Sequence, residues 1–252
     1  MKKFMAVFFA ALMVFSFGAC QQQKTLVVGL DDSFPPMGFR DEKGEIVGFD
    51  IDLAKEACKR MGVEATFQPI DWNSKEMELN TGKIDLLWNG VTITETRLKE
   101  MTFTKPYIQN TQIILTRPDT GITTKADLAG KIIGLQAGSS ALDALMADAE
   151  TYATIGEVSE YAENILAFQD LIIGRTDAVV VDEPVARYYM TVNQPGFIVL
   201  EEDFGKEDYG VAMKLGNTDL LAKLQKALDD MVADGTAAEI SKKWFEEDIM
   251  VK

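Results

Sequence analysis

The sequence predicts an α/β fold made of two doubly wound units, and three observations carry that expectation. Short continuous apolar runs at residues 25–30 (TLVVGL), 84–88 (IDLLW), 131–135 (KIIGL) and 178–181 (AVVV) suit strands buried on both faces of a parallel sheet. Helical patterns alternate with them, as βαβ connections require. The same order of apolar strand, small polar loop and helix begins again past Arg117-Pro118. With 252 residues, 47% of them hydrophobic, the chain can form two modest cores or one large one.

The first nineteen residues read as a signal peptide. Lys2 and Lys3 are followed by an apolar stretch, 4–17, too short to span a membrane comfortably. Gly18-Ala19-Cys20 then resembles the lipobox of bacterial lipoproteins, in which the cysteine is acylated and becomes the mature N-terminus; Phe17 stands where leucine is usual. On that reading 20–24 is a lipidated tether, and the alternative is an ordinary signal peptide cut nearby. No other segment reaches the ~20 apolar residues of a membrane-spanning helix, so the remainder is expected to be an exported domain.

Composition removes several functions. The full chain carries 25 Lys+Arg against 40 Asp+Glu; without Lys2 and Lys3 the balance is 23 against 40, or −17. Such acidity argues against nucleic acid as a partner and gives no attraction to anionic lipid headgroups. Histidine is absent, which removes the commonest general base and metal ligand. No metal and no cofactor are expected. With Cys20 lipidated, Cys58 has no intramolecular partner and reads as a buried core thiol.

Taken in order, strand 25–30 leads into Asp31-Asp32-Ser33-Phe34-Pro35-Pro36, a loop that its prolines keep from being helical. A helix over 51–61 follows, with Leu53, Ala54, Ala57, Cys58 and Met61 on one face, Asp50 or Asp52 near its cap, and Gly62 closing it. Residues 64–69 are a second strand. Asp71-Trp72-Asn73-Ser74 caps a helix to about Thr81, closed by Gly82. Strand 84–88 is broken by Asn89-Gly90, and 107–116 is a longer extended run.

In the second unit Thr124-Lys125-Ala126-Asp127 starts a short helix, and strand 131–135 reaches the polar loop Gln136-Ala137-Gly138-Ser139-Ser140. Helices are expected from about 140 to 148 and over 162–172, with Gly174 closing the second. Strand 178–181 ends at Asp182-Glu183-Pro184. An amphipathic helix over about 219–233 buries Leu220, Leu221, Leu224, Leu228 and Met231, and a last helix spans 237–245. Ligands of doubly wound sheets lie outside the carboxyl ends of the strands. The loops at Asp31, Trp72, Asn89, Gln136 and Asp182 all occupy that position.

The stretch 85–97, DLLWNGVTITETR, concentrates the chemistry. Thr92 followed three residues later by Glu95 fits a capping box, which puts Arg97 in or near the first turn of a short helix. The macrodipole disfavours a cation there by a few tenths to roughly 1 kcal/mol, and a bound anion would offset that. Free backbone N–H groups, Thr hydroxyls and a guanidinium fork suit a carboxylate. The alternative is a surface Arg97 paired with Glu95 or Glu100.

The segments TLVVGLDDSFPP, GFDIDLAKEACKRMG, ELNTGKIDLLWNGVTITETR, FTKPY, DLAGKIIGLQAGSS, GRTDAVVVDEP, DYGVAM and ADGTAAEISKKWF, in this order, resemble extracellular solute-binding proteins of amino-acid ABC importers, the polar amino-acid-binding family 3. The resemblance covers residues 25–245. It implies a type II periplasmic-binding-protein-like fold: lobe 1 over 25–106 plus 210–252, lobe 2 over 112–204, and a two-strand hinge at 107–111 and 205–209.

By the same resemblance Arg97 takes the α-carboxylate of an amino acid, helped by Thr92 and Ser139. Asp182 takes the α-ammonium together with the Gly90 carbonyl; without the resemblance Asp182 reads as a helix N-cap before Pro184. Asp31, Phe34 and Trp72 surround the ligand side chain, with Asn89, Gln136 and Ser140 also at the pocket. The implied function is a monomeric, non-enzymatic receptor, lipid-anchored through Cys20 on the outer face of the cytoplasmic membrane (in the periplasm of a Gram-negative cell). It would bind a free polar L-amino acid and deliver it to permease subunits. Asp31, Asp32 and Glu183 favour a basic or amide side chain over an acidic one. A cleft enzyme of the prephenate or arogenate dehydratase type and a sensor domain of a signalling system are the alternatives.

Overall fold

A computed structural model describes residues 25–194 and 196–251; the signal segment, Cys20 and the tether lie outside them. The chain opens with β1 (Thr25–Leu30), a small antiparallel sheet of β2 (Ser33–Phe34), β3 (Gly38–Arg40) and β4 (Ile46–Val47), then α1 (Phe49–Arg60) and β5 (Glu64–Pro69). A 3-10 turn at Trp72–Ser74 runs into α2 (Lys75–Asn80), followed by β6 (Leu86–Thr92), the one-turn α3 (Arg97–Glu100), β7 (Met101–Phe103) and β8 (Ile108–Thr116). Next come β9 (Ile132–Gln136), α4 (Ala141–Ala147), α5 (Ala149–Tyr152), β10 (Glu157–Tyr161), α6 (Asn164–Ile172), β11 (Ala178–Asp182), α7 (Glu183–Asn193) and β12 (Ile198–Val199). The chain ends with β13 (Lys206–Lys214), α8 (Thr218–Ala233) and α9 (Thr236–Phe245).

The main sheet has the order β10-β9-β11-β8-β13-β6-β1-β5. At one end β5, β1 and β6 are parallel, and at the other β10, β9 and β11 are. Between them β8 and β13 run antiparallel to their neighbours and pair with each other from Lys206↔Thr111 to Tyr209↔Ile108. Every residue of β6 and β11 is buried, in keeping with the apolar residues Leu86–Trp88 and Ala178–Val181 that begin them. Trp88, Phe49 and Leu224 belong to one core cluster with Phe168 and Val179, and each fully buried large apolar side chain contributes about 1.5–3 kcal/mol. Cys58 is buried and unpaired, and burial pushes its thiol pKa up to about 11, so it is inert as a nucleophile.

Several expectations are corrected. Asn89-Gly90 does not end the strand: β6 continues to Thr92, and the irregularity is a bulge against β13, where Leu87 pairs with Ala212 and Val91 with Gly210. The Thr92/Glu95 capping box does not form; the Thr94 hydroxyl accepts the Arg97 N–H at 3.1 Å instead. Helix α1 starts at Phe49, two residues earlier than expected, with Gly48 as its N-cap; Asp50 and Asp52 lie in its first turn, near the cap as expected. Asp50 turns inward, while Asp52 accepts from Lys243 Nζ and Trp244 Nε1 at 2.6 and 2.9 Å. The loop after Asp31 contains β2. Strands β10 and β12 were not anticipated; helix α7 starts where the alternative reading of Asp182 as an N-cap before Pro184 put a helix, with Pro184 in the first turn, where a missing N–H costs nothing.

Candidate functional site

Arg97 anchors the site from the start of α3, five residues past the end of β6. It is only 6% exposed, and its Nη1 and Nη2 donate to the carbonyls of Thr92 at 3.0 Å and Gly138 at 3.1 Å. Among the described residues no carboxylate oxygen lies within 4.0 Å of it, so neither Glu95 nor Glu100 is its partner. Burial lowers its pKa from the ordinary arginine value; the guanidinium stays charged. A desolvated cation held only by neutral carbonyls is short of an anion. Because α3 is a single turn, the guanidinium itself, more than a helix dipole, supplies the attraction.

Opposite it, Asp182 ends β11 at the N-cap of α7, but its side chain makes no capping bond. Oδ1 accepts from Asn110 Nδ2 at 2.5 Å, Gln112 Nε2 at 2.9 Å and Tyr209 Oη at 2.5 Å. Burial, and then the charge of Glu207, push its pKa up to about 7. Asp182 and Arg97 line the same small space, together with Phe34, Trp72, Asn89, Gly90, Thr92, Gln136, Ser139 and Ser140. Asp31 stands just behind: its Oδ2 accepts from Gln136 Nε2 at 2.7 Å and its N–H donates to Asn89 Oδ1 at 3.0 Å. Burial raises the Asp31 pKa to about 6. All eleven residues expected at the site are therefore brought together.

Their local partners fix their poses. The hydroxyls of Thr92 and Ser140 lie 2.9 Å apart across the two halves of the sheet. Ser139 Oγ donates to the Gln136 carbonyl at 2.7 Å and accepts the Ala141 N–H. Gly90 has φ +59, and a Cβ there would stand 2.9 Å from the rings of both Phe34 and Tyr209, so no side chain fits. Its N–H donates to Asp50 Oδ2 at 2.7 Å.

Sequence reasoning missed a second ring of residues. Fully buried Asp50 also accepts from Tyr107 Oη at 2.8 Å, and burial raises its pKa to about 7. Lys75 is 3% exposed, lies over the Trp72 ring at 5.4 Å and donates to the Gly138 carbonyl at 2.8 Å. Asn110 and Gln112 of β8 and Glu207 and Tyr209 of β13 form the wall behind Asp182. The sequence showed β8 only as an extended run, and nothing in Gln109-Asn110-Thr111-Gln112 separates inward polar residues from solvent-facing ones. Another groove, at Lys105, Leu228 and Met250, has no buried charged side chain. Among the described residues no group of three His, Cys, Asp or Glu is placed to hold a metal ion, and no helix is long and apolar enough to cross a membrane.

Comparison with known proteins agrees with this fold. The chain is 33% identical over 231 residues to the L-cystine-binding protein TcyJ of Escherichia coli (strain K12), covering 91% of this chain and 85% of that one. It is 36% identical over 241 residues to ABC transporter arginine-binding protein 1 of the same strain, covering 94% and 96%. An ABC uptake transporter substrate-binding protein from Streptococcus pneumoniae, solved with bound histidine, superposes with a TM-score of 0.88 at 36% identity over 90% of this chain and 95% of that one. Residues 26–247 match the family model for bacterial extracellular solute-binding proteins, family 3. With the fold, the matched length and the identity all in agreement, this chain belongs to the family 3 bacterial extracellular solute-binding proteins.

Proposed function

We propose that this protein is the receptor of an amino-acid ABC importer, holding a free polar L-amino acid between two lobes and presenting it to the permease. One observation carries the reading: a buried guanidinium without a carboxylate partner and a buried carboxylate line one small cavity. A zwitterion satisfies both. Arg97, with Thr92 and Ser139, takes the carboxylate, and Asp182 with the Gly90 carbonyl takes the ammonium. Phe34, Trp72 and Asp31 surround the side chain, flanked by Asn89, Gln136 and Ser140. The relatives named for cystine, arginine and histidine fit a zwitterionic main-chain group as the common element.

Lobe 1 is 25–106 with 210–252, lobe 2 is 112–204, and 107–111 with 205–209 are the hinge. Ligand stabilises the closed form by contacting both lobes at once. Asp31 favours a basic or amide side chain, and Cys20 anchors the monomeric protein to the membrane by lipid. Binding, not catalysis, is its role: charges of opposite sign at the two poles suit a zwitterion held still. A thermal-shift and calorimetric panel of the twenty amino acids with ornithine and cystine tests this, a basic or amide amino acid being expected to bind tightest. Tightest binding of Glu or Asp overturns the side-chain preference. Formation of phenylpyruvate or phenylalanine from prephenate or arogenate overturns the non-catalytic reading.

A further inference from the structure

The acidic corner of the site holds more acceptors than donors. Asp182 Oδ1 draws on Asn110 Nδ2 and Gln112 Nε2, and Glu207 Oε2 lies 3.1 Å from each of the same two nitrogens. Glu207 Oε2 also accepts from the hydroxyls of Thr92 at 2.9 Å and Ser140 at 3.0 Å, one from each half of the sheet. The other ends of the two amides, Asn110 Oδ1 and Gln112 Oε1, are buried without any hydrogen-bond partner. Among the described residues no cation lies within 4.0 Å of Asp182 or Glu207. Two ionised carboxylates that share donors repel each other, and the repulsion bears most on Asp182, which is buried while Glu207 is only partly so. A proton on Asp182 or a cation beside it relieves it.

Building on the amino-acid reading above, we infer that Asp182, with Glu207 set beside it on the same two amide nitrogens, keeps a proton in the ligand-free protein and releases it to solvent as the ligand ammonium enters. The ammonium supplies the donors the corner lacks and replaces the proton's charge, so charge balances across the exchange. Glu207 is then a positioning residue: it sets the protonation of Asp182 and makes the corner specific for a cationic amine over a hydroxyl or an acylated nitrogen. Its donors Thr92 and Ser140 reach it from opposite sides, which ties the pair to the closed cleft.

The charged and titratable groups around the pair are few. Tyr209 on β13 donates to Asp182, and Arg97 on α3 favours ionisation. On the outer side of Glu207 an open pocket is bordered by Lys206, Asp208 and, from α4, Asp143. The raised proton affinity of Asp182, caused first by burial and then by Glu207, agrees with a retained proton.

The ligand-free protein is tested first, by following the side-chain carboxyl 13C shifts of Asp182 and Glu207 from about pH 4 to about pH 9. The Asp182 signal should titrate at a midpoint above about 6, and Glu207→Gln should lower that midpoint by about one unit or more. An Asp182 midpoint in the ordinary carboxylate range near 4, or one that Glu207→Gln leaves in place, overturns the inference. The second arm is calorimetry with L-arginine and L-glutamine, whose own groups do not titrate between about pH 5 and 8. In buffers of low and high ionisation enthalpy at about pH 6.5, more than roughly half a proton should leave per ligand bound, and Glu207→Gln should at least halve that count. Asp31 and Asp50 remain in the variant, so the difference reports the pair. Binding without proton release overturns the inference and leaves the amino-acid reading standing. Failure of both amino acids to bind counts against the side-chain preference, and the carboxyl titration alone then decides the pair.

Discussion

Lys75 and Arg97 donate to one and the same oxygen, the Gly138 carbonyl, at 2.8 and 3.1 Å. Gly138 lies between β9 and α4, while both cations come from the other half of the sheet, so this oxygen ties the two sides of the cleft. Two buried cations on a neutral acceptor repel each other; burial first and the Arg97 charge second lower the Lys75 pKa. Once a ligand carboxylate occupies Arg97, Lys75 is the remaining charged tie. Hydrogen bonds to charged groups contribute about 1.5–3 kcal/mol. Lys75→Met should therefore raise the ligand off-rate about tenfold or more while leaving the on-rate within about threefold. Stopped-flow tryptophan fluorescence reads both, and an unchanged off-rate would remove Lys75 from closure.

Gly90→Ala places a methyl group 2.9 Å from two aromatic rings at a residue with φ +59. Strain of this kind costs of the order of 1–3 kcal/mol, and here it also displaces the carbonyl assigned to the ammonium. The variant should melt lower and bind at least about tenfold more weakly. Wild-type affinity in this variant would show that the Gly90 backbone does not touch the ligand.

Asp50 gives a pH prediction. Its folded pKa, raised by burial to about 7, lies above the unfolded carboxylate value. The contribution is therefore fully present below about pH 4 and lost as pH rises through 7, a change of at most about 4 kcal/mol. In Asp50→Asn, Oδ1 can accept the Gly90 N–H and the amide NH2 can meet Tyr107 Oη. Denaturant melts should show the variant gaining stability relative to wild type between pH 5 and pH 8. A parallel pH profile for the two proteins would mean that Asp50 does not titrate in this window.

These residues mark where the sequence stopped being informative. Arg97, Thr92 and Asp182 stood out because each follows an apolar strand, and strand ends are where a doubly wound sheet exposes its site. Asp50 did not, since a carboxylate in the first turn of a helix reads as a partner for the dipole; only the tertiary fold turns it under Gly90. Glu207 lies in the polar run Lys206-Glu207-Asp208, and only the pairing of β13 with β8 sets it beside Asn110. The start of helix α7 was legible in Asp182 before Pro184, but its course was not traced, although Val185, Ala186 and Tyr189 carry its buried face. Strand β10 was missed because its partly exposed, acid-rich sequence lacks an apolar run.

Cys20 lies outside the described residues, and its role is tested in cells. A palmitate analogue should label the wild-type protein, and Cys20→Ser should release it from the membrane fraction. Unlabelled protein in the medium with a different N-terminus would favour an ordinary signal peptide.

The division of labour between Arg97 and Asp182 is the sharpest test of the site. Each is assigned one pole of the same ligand in a desolvated cavity, where charge-assisted hydrogen bonds are strong. Removing one partner of such a pair costs about 2–5 kcal/mol, roughly 30-fold to several thousand-fold in affinity. Arg97→Ala should nearly abolish binding. Arg97→Lys should not restore it, because an ammonium cannot reproduce the planar fork that reaches the Thr92 and Gly138 carbonyls together. Asp182→Asn should also weaken binding strongly while the ligand-free melting temperature stays near wild type, since Asn Oδ1 still accepts from Tyr209. Ligand analogues separate the two poles. An amine lacking its carboxylate should bind wild type poorly and lose little more on Arg97→Ala, and an acid lacking its ammonium should behave likewise with Asp182→Asn. If Arg97→Ala holds the best amino acid within about threefold of wild type, a loss of under 1 kcal/mol, the zwitterion does not bind between these two residues.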